Sequence, residues 1–172
     1  MEFKISFLSM ITVLLISCSN KKAMEFRNAI LQKQESASKI LIGKEGLESR
    51  KLDYLIQQDF NRALSVIDTQ EIAFNTLIRE ITDLDPAQLP TGPQLKQASI
   101  AYLEALKNLQ LSDRLEIEQQ MISRNATGDK QDAALDSLLD LSRKQQSLYQ
   151  YLYKAEEQLV EATGKFNKAN DL

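Results

Sequence analysis

The 172-residue chain contains no histidine and no tryptophan, one cysteine, three prolines and five glycines. Without histidine no Ser-His or Cys-His catalytic pair can form, haem loses its usual axial ligand, and the Glu-x-x-His di-iron sites of helical bundles are excluded. One cysteine allows neither an internal disulfide nor a thiolate zinc site. The formal net charge is −3, with 21 basic and 24 acidic residues interleaved rather than blocked. No basic face for a phosphate backbone follows from that pattern, so nucleic acid is not an expected partner. What the chain does have is 43% hydrophobic residues, enough for one domain with a core, and 26% charged residues, which argues against wholesale disorder. Leu, Ala, Gln, Glu and Lys dominate, side chains that lose little rotamer freedom on a helix.

The first twenty residues read MEFKISFLSMITVLLISCSN. Lys4 supplies a positive start, and an apolar run from Ile5 to Ile16 is broken only by Ser6, Ser9 and Thr12. As a helix the run spans about 18 Å, against roughly 30 Å of bilayer hydrocarbon, so it reads as a secretory h-region rather than a membrane span. It ends in Leu15-Ile16-Ser17-Cys18. That string resembles the lipobox of bacterial lipoproteins, and each position fits. The resemblance implies a signal peptide over 1–17, cleavage between Ser17 and Cys18, diacylglycerol on the Cys18 sulfur and an acyl chain on its new amino group. Each buried methylene of such chains contributes about 0.8 kcal/mol, and two or more chains anchor stably. Ser19 stands where Asp often directs retention in the inner membrane in this family, which favours the outer membrane in a cell that has two. Residues 18–22 form a short tether, its Lys21 and Lys22 available to anionic headgroups, so the domain over 23–172 is expected close to the lipid surface.

The hydrophobic period beyond the tether is helical. Ile56, Phe60, Ala63, Ile67, Gln70, Phe74, Leu77, Ile81 and Leu84 step by four and three without a slip. Ala134, Leu138, Leu141, Gln145, Leu148, Leu152, Ala155, Leu159, Ala162 and Phe166 do the same. Such heptads indicate long helices packed at small angles. A looser stripe (Leu95, Ala98, Tyr102, Ala105, Leu106, Leu109) marks a third helix, and Phe26, Ile30, Ala37 and Ile40 an earlier one. Breaks fall at Gly43 to Gly46, at Asp85-Pro86, across Leu89 to Pro93 with Pro93 in a first helical turn, and at Thr127-Gly128-Asp129 with Asp129 as N-cap. The reading is all-α: four helices at about 23–42, 45–84, 93–126 and 129–168 in an antiparallel up-down bundle. The alternative joins the first two into one kinked helix, leaving three long helices with an N-terminal arm.

Few residues in this pattern suggest chemistry. Glu and Asp fall mainly outside the apolar stripes, where a solvated face explains them, and no metal site is expected. Asp83, Asp85 and Asp129 sit at expected helix ends, where capping and the helix dipole account for them. No nucleophile, base and orienting residue occur together, and paired carboxylates lack any marker of a cleft, so no enzyme is expected. Gln70 and Gln145 each interrupt an apolar stripe. They either fix helix register, bind a polar ligand inside the bundle, or reach water from the stripe's margin. Tyr149, Tyr151 and Tyr153 cluster beside the core-facing Leu148 and Leu152; tyrosine is enriched at interfaces, so these three form the candidate partner contact, with flank packing as the plainer alternative.

The expectation is therefore a lipid-anchored cell-envelope protein acting as a non-enzymatic helical interaction or structural module, with no cofactor beyond the lipid on Cys18. It would bind a protein partner or itself. The pattern is similar to small helical-bundle surface lipoproteins of unknown function. The alternative is a ligand- or ion-binding bundle with a cavity between helices.

Overall fold

Both heptad stripes are helical over most of their length, the first of them divided between two helices. The computed structural model describes residues 3–42 and 46–172, with side chains from residue 20 onward. Among these the chain is helical with no strand: α1 (Phe3–Leu41), α2 (Leu47–Ile56), α3 (Phe60–Thr82), α4 (Gly92–Asn125) and α5 (Asp129–Ala169). The side chains of residues 1–19, with Ser17 and Cys18 of the expected cleavage and lipid site among them, lie outside the described residues, as do Gly43, Lys44 and Glu45 of the expected glycine turn. Among the described residues no helix is long and apolar enough to cross a membrane.

Two boundaries differ from the sequence reading. The segment expected as tether is helical, carried inside α1, and core packing starts at once with the fully buried Ala23. The helix expected over 45–84 is two helices. Gln58 takes a left-handed conformation (φ 60°), and the amide of Asp59 donates to the Tyr54 carbonyl at 2.8 Å, closing α2 in a Schellman-like turn. Asp59 then caps α3, its carboxylate accepting from the Arg62 amide at 3.1 Å. Glycine usually holds the left-handed position; here glutamine does, so the sequence carries no obvious mark of the break. The stripe fails with it, since Ile56 is 80% exposed. At the head of α5 the N-cap is Gly128 (φ 61°), and Asp129 falls in the first turn, where its charge still suits the dipole. Asp83 sits at the C-cap of α3, the end where the dipole disfavours an acid. Lys96 offsets this by donating to the Thr82 and Leu84 carbonyls at 2.5 and 2.8 Å.

Cross-links between helices fix their directions. Along α3 and α4, Thr82 meets Lys96, Asn75 accepts from Lys107 at 3.0 Å, and Asp68 pairs with Arg114. Along α4 and α5, Pro90 just before α4 accepts from Asn170 just after α5 at 3.0 Å, Asp113 from Gln145 at 3.3 Å, and Ser123 from Gln131 at 3.0 Å. Numbers fall on one helix as they rise on the next, so each pair runs in opposite directions. The main core joins Phe26 and Ile30 of α1, Phe74 and Ile81 of α3, Leu95 and Leu103 of α4, and Leu159 and Phe166 of α5. A smaller cluster of Ala63, Ile67 and Ile117 lies further along α3 and α4, under Tyr54, Leu55 and Phe60.

The α3–α4 connection is tight at Gly92, which is buried. A Cβ there would stand 2.9 Å from the Leu89 Cβ and 3.1 Å from the Pro86 carbonyl oxygen. Gly92→Ala is expected to cost about 1–3 kcal/mol, the usual range for overpacking, read as a lower urea midpoint with an unchanged m-value. An unshifted midpoint would mean the loop yields freely.

Candidate functional site

Between the two apolar clusters lies a layer of polar side chains. Ile67 and Phe74 bracket Gln70 on α3, and Leu109 and Ile117 bracket Asp113 on α4. Lys51 reaches into this layer from α2 and is 1% exposed. It falls on the inward stripe of that short helix, four residues after Leu47 and four before Leu55. An isolated ammonium buried this way would be very costly, so partners are required. Its Nζ donates to Asp113 Oδ2 and lies 2.9 Å from Glu48 Oε2. Gln70 Nε2 donates to the same Glu48 oxygen at 3.1 Å, and Gln145 Nε2 donates to Asp113 Oδ1 at 3.3 Å. One chain of contacts, Gln70–Glu48–Lys51–Asp113–Gln145, thus crosses α3, α2, α4 and α5.

The charge balance of this layer shapes its titration. Burial pulls Lys51 down, but the Asp113 and Glu48 carboxylates outweigh it, and the ammonium is held above its ordinary value. Burial lifts the Asp113 carboxyl, Lys51 draws it back, and the negative charge of Glu48 adds to the lift; the net direction is up. Burial is the largest of these causes, and with one cation shared between two carboxylates Lys51 does not overcome it. Two acceptors, Gln70 Oε1 and Gln110 Oε1, are buried and accept no hydrogen bond from the protein.

The layer opens to the surface through a cleft of about 290 Å³ between α2, α4 and α5, where Glu116, Gln120 and Tyr149 join Lys51 and its partners under an apolar edge of Leu52 and Leu55. A second cleft, about 430 Å³, lies between α1, α4 and α5 and is lined by Leu31, Glu35, Tyr102, Glu156 and Val160. Burial and the neighbouring Glu156 charge both raise the Tyr102 phenol, keeping it a neutral hydrogen-bonding group. Among the described residues no three Asp or Glu side chains are grouped so as to hold a metal ion. In the first cleft the Lys51 ammonium stands between the two nearest carboxylates, where a cation would have to sit.

The structure separates the residues singled out from sequence. Tyr149, Tyr151 and Tyr153 are 44, 52 and 65% exposed, so none is absorbed into flank packing, and Tyr149 lines the first cleft. Gln70 is fully buried rather than reaching water, and Gln145 is half-buried, each at one end of the polar chain. Lys51, Glu48 and Asp113 were not anticipated. Their trace in the sequence is faint: a Glu-x-x-Lys spacing, a lysine on an inward stripe, and two glutamines interrupting the stripes opposite. No protein family, curated protein or solved structure matches this chain.

Proposed function

We propose that this chain is a lipid-anchored cell-envelope protein that acts by contact rather than catalysis, binding a protein partner or another copy of itself through a helix face. The lipobox Leu15-Ile16-Ser17-Cys18 at the end of a short apolar run supports the anchor. The observation that carries the contact role is the exposed seam of α5, where Leu135, Leu139, Tyr149, Tyr153 and Val160 fall on one side of the helix, with Tyr151 exposed on the opposite side. Large apolar and aromatic side chains lined up in water mark interaction surfaces. The opposed cross-links of α3, α4 and α5, with α2 folded back on α3 through the Glu48–Gln70 contact, support an up-down path of four strokes, with α1 and α2 sharing the first. That architecture would stand the α5 seam away from the core, running outward from the membrane that holds Cys18, the outer one if the cell has two.

The test is intact mass of the protein from native envelopes, combined with a photo-cross-linking residue in place of Tyr153, which lies on the seam. The expected species begins at Cys18, carries diacylglycerol and an acyl chain, and yields one reproducible cross-linked protein. Cys18→Ala is expected to lose both lipid masses and stay uncleaved at Ser17, with an unchanged helical circular dichroism spectrum. An unmodified Cys18 in the native protein would end the anchoring proposal. A lipidated protein with no cross-linked partner would instead favour a ligand-binding bundle, a reading supported by the open cleft beside Lys51.

A further inference from the structure

The two clefts lie in line along one face of α4 and α5, and form two successive stretches of a furrow. On α4, Tyr102 lines the second and Leu109 the first; on α5, Glu156 lines the second and Tyr149 the first. Both pairs are seven residues apart, which on a helix is the same face displaced by about 10.5 Å. The floor is therefore a single face of α4, with α5 as one wall, and the other wall is α1 in the second cleft and α2 in the first. From Tyr102 to Gln120 this floor extends about 27 Å, the length of a helix of about five turns.

Two properties of the furrow select what fits it. Its lips are apolar and exposed: Leu31 and Val160 along one stretch, Leu52 and Tyr149 along the other. Lys51 apart, its charges are of one sign. Glu35 and Glu156 line the upper stretch and Glu48, Asp113 and Glu116 the lower, and Lys51 is the one cation lining either, already held by Glu48 and Asp113. Gln110 Oε1 adds a buried acceptor without a donor. Apolar lips over an acidic, acceptor-rich floor complement an apolar stripe flanked by lysine or arginine.

We infer that this furrow is the docking site for a basic amphipathic helix of a partner protein, lying along α4 between α5 and the α1–α2 wall. The inference rests on the contact role proposed above and names the partner's chemistry. The apolar stripe of the incoming helix covers the four lip residues, and its cations meet the carboxylates that Lys51 leaves unneutralised. Long side chains that bury an aliphatic stem and extend a charge suit such a wall.

The probe is a fluorescent 18-residue Leu/Lys peptide with helical spacing, titrated against the full chain by anisotropy. Two control peptides replace Lys by Glu, or scramble the order so that no apolar stripe forms. The Leu/Lys peptide is expected to bind at least tenfold more tightly than either control, and binding should weaken as salt is raised. Glu116→Lys with Glu156→Lys, one change in each stretch, is expected to weaken it tenfold or more with an unchanged melting temperature. If that variant unfolds, Glu116→Gln with Glu156→Gln should weaken binding in the same sense. Equal binding of the scrambled peptide, or binding indifferent to the glutamate changes, overturns the inference. Competition by free spermidine at concentrations that spare helix binding elsewhere would assign the site to small amines, and overturns it too. Should the Leu/Lys peptide fail while a cross-linker at residue 153 still captures a partner, the furrow is wrong and the contact role stands; failure of both removes the contact role.

Discussion

Lys51→Met is expected to lower the unfolding free energy by about 3 kcal/mol, the low end of the range for removing one partner from a buried ion pair. The low end applies because the Glu48 and Asp113 side chains keep 25 and 22% of their exposure and can recruit water. The loss comes less from the missing attraction than from two carboxylates left facing each other in a half-buried layer. Adding Glu48→Gln and Asp113→Asn to Lys51→Met should therefore recover most of the stability, a non-additivity that a mutant cycle in urea measures directly. A cost below about 1 kcal/mol for the single change would mean the layer is fully hydrated. The same layer predicts a pH dependence. Lys51 is held above its ordinary value of 10.5, so its stabilisation is complete below that value and is lost as pH rises through the higher folded one. Asp113 acts with the same sign at the acid end, because a raised carboxyl is easier to keep protonated in the folded chain and its ionisation costs stability as pH rises through the carboxylate range. Melting temperature should thus fall more steeply on the alkaline side in the native protein than in Lys51→Met.

The second large effect is expected at Phe166. This side chain is fully buried near the end of α5 and meets Phe26 of α1 with ring centroids 5.7 Å apart and planes tilted by 41°. Phe166→Ala removes a large core side chain and leaves a cavity, with an expected cost of about 3–5 kcal/mol. It also acts on a specific joint. The polar contact beside it, from Arg27 to Asn167, is long at 3.4 Å and too weak to hold the helices together. Amide exchange over 23–30 should therefore accelerate more than exchange in α3 or α4. Uniform acceleration would mean that α1 is held mainly by Ile30 and Ala37 against the rest of the core. Coupling between Phe26→Ala and Phe166→Ala should be about 0.5–1.5 kcal/mol, as for other aromatic pairs.

Sequence by itself determined that the chain is helical and where most helices lie. The α4 and α5 bounds, Gly92–Asn125 and Asp129–Ala169, sit within a residue of those read from the stripes and breaks. Periodicity and turn residues are local properties, and long heptads leave them little competition. The Gln57–Asp59 break escaped that reading because it is made by a glutamine held left-handed through a backbone bond to Tyr54, an arrangement local propensity disfavours. Tertiary structure alone decided what the interrupting residues do. Gln70 and Gln145 are visible in the sequence as faults in two stripes, yet nothing in either stripe shows that Lys51 and Asp113 stand between them. Those four residues lie on four helices and meet only once α2 folds back onto α3 and α4. Burying one ammonium required acceptors from more than one helix, because no single turn of helix can surround a cation. That requirement is satisfied in space rather than along the chain, and it leaves the acidic furrow beside Lys51 legible only in three dimensions.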